Sequence, residues 1–140
     1  MILDPSLELQ TAIRAALVAH PEVSALVPAD QIRAGSTRPE KLPTIIMASP
    51  QMLNLGRTSG GQYLTRVFLT LHIWALEDGA DVARQIGSAV IVSLWDAPHS
   101  DTVGIDEYAR PSFSFMRDPD PERAYVHGFG TVEAVIRWSV

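Results

Sequence analysis

The chain contains no cysteine, which excludes disulfides, thiol chemistry and cysteine-based zinc sites and fits folding in a reducing cytoplasm. It also lacks any apolar run near the roughly 18–20 residues needed to span a bilayer. Its start, MILDPSLELQ, has neither the basic residues nor the apolar core of a signal peptide. A soluble, unprocessed protein without a membrane partner is expected. Basic residues are scarce, 11 against 16 acidic, for a net charge of -5. That sign disfavours any task built on gripping phosphates over a broad surface. Internal repeats, linkers and low-complexity blocks are missing too. With 140 residues, 46% of them hydrophobic, the chain is expected to form one domain over 1–140 with one core, stabilised by packing alone.

Several signatures of chemistry are also missing. His20, His72, His99 and His127 show neither HxH nor HExxH spacing, so no local pair of zinc ligands exists. His99-Ser100-Asp101 contains the letters of a hydrolase triad, but neighbours on one loop cannot converge as nucleophile, base and orienting acid. GRTSGG, residues 56–61, is glycine-rich yet has no Lys-Ser/Thr and precedes a strand, so it reads as a loop rather than a phosphate cradle. Asp118, Asp120 and Glu122 alternate as calcium ligands do, but two prolines and no central glycine favour a turn. Asp106 and Glu107 are adjacent on a strand and diverge. No cofactor, metal or catalytic residue is assigned, and the chain is expected not to be an enzyme.

What is present is pattern. Asp4 or Ser6 can cap a helix with Pro5 in its first turn, and Leu9, Ile13, Ala16 and Leu17 form one stripe before Pro21. PEVSALVP suggests a short helical turn, QIRA a short strand, and GSTRPEKLP a solvated loop. TIIMA, residues 44–48, suits a central strand. SPQMLNLGRTSGG reads as a mobile connection, with Leu53 to Gly61 ordering on docking. In QYLTRVFLTLHIWALEDG, residues 62–79, Val67, Leu69, Leu71 and Ile73 alternate with Arg66, Phe68, Thr70, His72 and Trp74. This predicts a long strand ending near EDGA, with aromatic and histidine side chains on its second face. Val82, Ile86, Ala89, Val90 and Leu94 then predict a helix from about Asp81 to Trp95. DTVGIDEY and RPSFSFMRD read as strands, with Phe113 and Phe115 on one face. DPDPERA is a turn, and YVHGFGTVEAVIRWSV closes the chain with Val132, Ala134, Ile136 and Trp138 inward. The order α, β, β, β, α, β, β implies an α+β fold: a single mixed, mostly antiparallel sheet with two main helices against it.

The N-terminal helix followed by DQIRAG, the LPTIIM strand, LTLHIWA, the helix ADVARQIGSAVIVSLWD and FMRDPDPERAYVHGFGTVEAVI occur in one order over nearly the full length. In this the chain resembles the tail-terminator, or tail-completion, family of long-tailed bacteriophages and gene transfer agents. Its RTSGG segment departs from the acidic Thr-Asp-Gly character associated with that loop. The resemblance implies a structural virion protein assembled in the bacterial cytoplasm. Such proteins form a hexameric ring at the head-proximal end of the tail, ending tube polymerisation and joining the tail to the head connector in the neck. Expected partners are further copies of itself, the tail-tube protein and a head-closure or connector protein, with DNA passing through unbound. Candidate subunit or tube contacts are Leu53, Leu55, Arg57, Phe68, His72, Trp74, Arg117, Asp118 and Asp120. The second face of the long strand is then covered either by a neighbouring subunit or by helices of the same chain. The rival readings are another neck ring, such as a head-closure protein, and a soluble ligand-binding or enzymatic domain with a deep pocket of convergent polar groups.

Overall fold

A computed structural model describes residues 1–77 and 81–140. The first helix, α1 (Pro5–Ala19), begins where Asp4 accepts hydrogen bonds from the backbone N–H groups of Ser6 and Leu7, with Pro5 in the first turn. Its stripe of Leu9, Ile13 and Leu17 is fully buried. A short α2 (Pro21–Ser24) and a 3-10 turn (Ala29–Gln31) lead to β1 (Ile32–Ala34), β2 (Thr44–Met47), β3 (Gln51–Arg57) and β4 (Tyr63–Leu76). Helix α3 (Val82–Ser93) follows, then β5 (Gly104–Ala109), β6 (Ser114–Arg117) and β7 (Tyr125–Trp138). The expected end of the long strand near EDGA falls partly on residues 78–80, outside the described residues.

The seven strands form one mixed sheet with path β1-β2-β4-β7-β5. Only β1 and β2 run parallel; β3 and β6 join β4 and β7 antiparallel. The α+β expectation of a mostly antiparallel sheet with two main helices therefore holds. Strands β4 and β7 pair in unbroken register from Tyr63↔Trp138 to Leu76↔Tyr125 and form the spine. One face of this spine, Val67, Leu69, Leu71 and Ile73 with Val132, Ala134 and Ile136, packs with Leu9, Ile13 and Leu17 of α1 and Ile86 and Val90 of α3 in one core. At its edge Phe115 lies between sheet and helix. A Cβ at Gly128 would sit 2.6 Å from its ring and one at Gly87 of α3 2.8 Å from it, so both positions need a residue without a side chain.

Two expectations are corrected. SPQMLNLGRTSGG is not a mobile connection: residues 51–57 are strand β3, hydrogen-bonded to β4 and turned back by a tight bend in which Gly61 (φ 85) donates to the Thr58 carbonyl. A bulge between Asn54 and Gly56 uses Gly56 at φ 111, a backbone state costly for other residues. The glycines thus shape a hairpin. The loop GSTRPEKLP is not wholly solvated either, because Pro39 is buried and Arg38 is tied to the turn after β6.

Candidate interaction surface

The core cluster takes its helical members from α1, α2 and α3 and its β4 members from the face bearing Val67 to Ala75. The opposite face therefore carries no helix among the described residues. Of the two covers expected for it, helices of the same chain are excluded. This helix-free face has two regions of different chemistry.

Toward the β1–β2 side lies an aromatic and polar stack. Trp74, only 3% exposed, packs its indole parallel to the His127 ring, with centroids 4.1 Å apart and planes 4° apart. His127 Nε2 and His72 Nδ1 are 2.7 Å apart. Their ring centroids are 4.9 Å apart and the planes differ by 19°. That separation matches the N···N distance plus two ring radii, so the rings meet edge to edge and share one in-plane hydrogen bond. Lone pairs aimed head-on suit proton sharing; chelation of a metal would need both rings to turn away from this line. Burial lowers the pKa of both histidines; His72 and Arg38 lower that of His127 further, and Asp118 opposes them. The Arg38 guanidinium lies over the Trp74 ring, 5.5 Å from its centroid. It is fixed there by two hydrogen bonds to Asp118, at 2.7 and 3.1 Å. The Asp118 carboxylate is fully enclosed. The hydrogen bond from Arg38 holds it below the usual carboxylate range, against the opposing effect of burial. Own-chain groups from the 36–43 loop and the β6–β7 turn thus converge on the row that includes Trp74. The indole Nε1–H is buried with no acceptor among the described residues.

Toward the β3–β5 side the same face is charged. Arg66 bridges Glu107 at 3.0 Å and Glu133 at 3.1 Å, and Arg137 pairs with Asp106 at 3.1 Å. Thr70 and Thr131 exchange a hydrogen bond at 3.0 Å between the two regions. Asp106 and Glu107 thus act as ion-pair partners.

The candidate residues named above fall into three groups. Phe68, His72 and Trp74 share the helix-free face, and Asp118 reaches it only through Arg38. Leu53 pairs with Arg66 on that face, Leu55 occupies the bulge, and Arg57, past the bulge, packs on Tyr63 at 5.3 Å. Arg117 and Asp120 lie at the rim, paired with Glu77 at 3.0 Å and Arg123 at 3.3 Å. Leu53 and Leu55 are exposed (53% and 42%), whereas Asp118 and Trp74 are buried within the chain and so offer no direct contact in this conformation. Arg38, His127 and Glu133 are the residues the sequence reading missed. Arg38 carries no local signal, because its partner lies eighty positions away.

Between α2 and α3 runs a groove of about 790 Å³ lined by Leu26, Ala89 and Val92, with Glu22, Arg84 and Gln85 exposed at its rim. Its polar groups stand in solvent and do not converge, unlike those of a catalytic pocket.

The model of the family described as tail completion protein gp17 matches residues 11–137. Among solved structures, the chain is similar to one in "Virion of native gene transfer agent (GTA) particle". The two are 13% identical, the match covers 97% of this chain and 99% of that one, and the TM-score is 0.71. At that identity the likeness is one of fold. No curated protein matches the chain in sequence.

Proposed function

The chain belongs to the tail completion protein gp17 family, a family of structural virion tail proteins, and we propose that within a phage-like tail it acts as the terminator. Six copies form a ring at the head-proximal end of the tube. The ring stops tube polymerisation and presents a docking face to the head connector, and DNA passes through it. It does this without catalysis.

The observation that carries this reading is the family match over nearly the whole chain. Three features of the surface support it: a sheet face free of helices, a hairpin that exposes Met52, Leu53 and Leu55, and an outer edge of β3 with no strand partner among the described residues. A domain built only to be a monomer normally blunts such an edge. The net charge of -5 per copy suits a conduit that releases the phosphates it meets, since long-range repulsion opposes their capture.

Native mass spectrometry of the purified chain, together with a pull-down from assembling particles, tests the proposal. The expected result is a ring that captures tail-tube protein on one side and a connector protein on the other. Capture of portal-side protein alone would make the chain a head-closure ring instead.

A further inference from the structure

The sheet divides along β4 into two half-sheets. In the half that carries the charged face, the rows Gln51–Phe68–Glu133–Ala109 and Leu53–Arg66–Val135–Asp106 run straight across four strands in the order β3-β4-β7-β5. All three pairings are antiparallel. The outer edges of this belt, β3 and β5, have no further strand partner among the described residues.

The two edges differ in kind. β3 is seven residues long. From Gln51 to Gly56 it has no charge and no proline, and it exposes Met52 and Leu53 at 53% each and Leu55 at 42%. Long, uncharged, apolar edges are what monomeric proteins avoid, because their open N–H and C=O groups recruit another strand. β5, six residues long, is bulged at Glu107 (φ 45) and carries Asp106 and Glu107. The only charge on β3 is Arg57.

We propose that β3 of one copy pairs antiparallel with β5 of the next, so that the four-stranded belts join edge to edge into a closed ring. The proposal rests on the ring reading above and names the surfaces that make the ring. Two features of the belt support it. Because the rows run straight across all four strands, a junction made in the same rows sets Gln51 of one copy opposite Ala109 of the next, and a heterologous contact repeated by rotation about one axis closes into a ring. Because four strands alternate in direction, rotation about a ring axis brings β5 beside an oppositely running β3; an odd number would make that junction parallel. With six copies at about 4.8 Å per strand the closed belt has a backbone diameter of roughly 37 Å. The helices then lie outside. The hydrated ion pairs of Arg66, Glu133, Arg137 and Asp106 face the bore, which is where charged side chains remain in water.

The absence of cysteine makes the test direct. Gln51 and Ala109 are both exposed, and within one chain their strands stand three spacings apart, about 14 Å, beyond the roughly 7 Å a disulfide can bridge. Any disulfide between them is therefore between copies. The Gln51→Cys/Ala109→Cys variant, in purified rings and in assembled particles, is expected to oxidise to a ladder that ends at the closed ring. A Gln51→Cys/Val92→Cys control should give no ladder, because Val92 lies on α3. Amides 51–57 should also exchange more slowly in the ring than in the dissociated chain, whatever the register. Rings that form with neither the disulfide ladder nor slowed exchange would overturn the edge pairing while leaving the terminator reading intact. A chain that stays monomeric even with tail tube present would overturn both.

Discussion

Trp74 provides the sharpest energetic test of the helix-free face. Its indole is 97% enclosed, stacked on His127 and covered by Arg38, although no helix lies on that side. Truncation to Ala removes a large buried aromatic, and such changes cost about 3–5 kcal/mol. For a chain of this length, at roughly 3–4 °C per kcal/mol, the melting temperature should fall by some 9–20 °C. Trp74→Phe behaves differently. It loses part of the stacked area, but it also removes the buried Nε1–H, which has no acceptor among the described residues, a group whose burial costs about 1–3 kcal/mol. The two effects oppose, and the Phe variant should lie within about 1 kcal/mol of the parent. Urea unfolding followed by far-ultraviolet circular dichroism, at one protein concentration, measures both without depending on tryptophan fluorescence. If Phe costs as much as Ala, the indole N–H is engaged and the packing account is wrong. If Ala costs under about 1 kcal/mol, the face is not a packed surface at all.

Gly128→Ala should destabilise by about 1–3 kcal/mol through overpacking against Phe115. Combining it with Phe115→Ala should cost less than the sum of the two, which a double-mutant cycle reads; strict additivity would refute the contact. The His72–His127 pair has lowered pKa values. Below the ordinary histidine pKa of 6.5 the unfolded chain therefore takes up protons that the folded chain refuses, and stability falls as pH drops. A His72→Gln/His127→Gln variant should lose less melting temperature between pH 7.5 and 5.5 than the parent does; an equal loss would remove the pair as the cause. Asp118 adds to the same trend at lower pH. Its lowered pKa adds stability that is present above the unfolded value of 3.8 and is lost as pH falls below it. Asp118→Asn should abolish that acid step and free the 36–43 loop to limited proteolysis at neutral pH. Duplex DNA should bind negligibly at physiological salt; a gel shift at sub-micromolar protein with a steep salt slope would contradict the passive conduit.

The parts of this architecture that were legible are those in which one face is buried and the other is not. In α1, Asp4, Pro5 and the Leu9–Ile13–Leu17 stripe state the start, hand and buried side of the helix. In β4, Val67 to Ile73 alternate because a core lies on one side. β3 was illegible for the same reason: neither of its faces is buried, so Met52, Leu53 and Leu55 follow no period of two. Gly56 and Gly61 suggested flexibility where they supply a bulge and a turn. Alternation also showed that β4 has a second face bearing Phe68, His72 and Trp74 without showing what lies on it. Its cover depends on Arg38 reaching Asp118 across eighty positions, which neither periodicity nor spacing encodes. Asp106 and Glu107 pair with Arg137 and Arg66, which come from strands far away in the chain and so left no local signal.

Termination itself is the central claim, and tail length measures it most directly. Electron microscopy of particles assembled with and without this chain gives two length distributions. The account predicts that without it tubes grow past their normal length and remain unjoined to heads, and that supplying the chain restores both length and joining. Tails of normal length joined to heads in its absence would contradict the account.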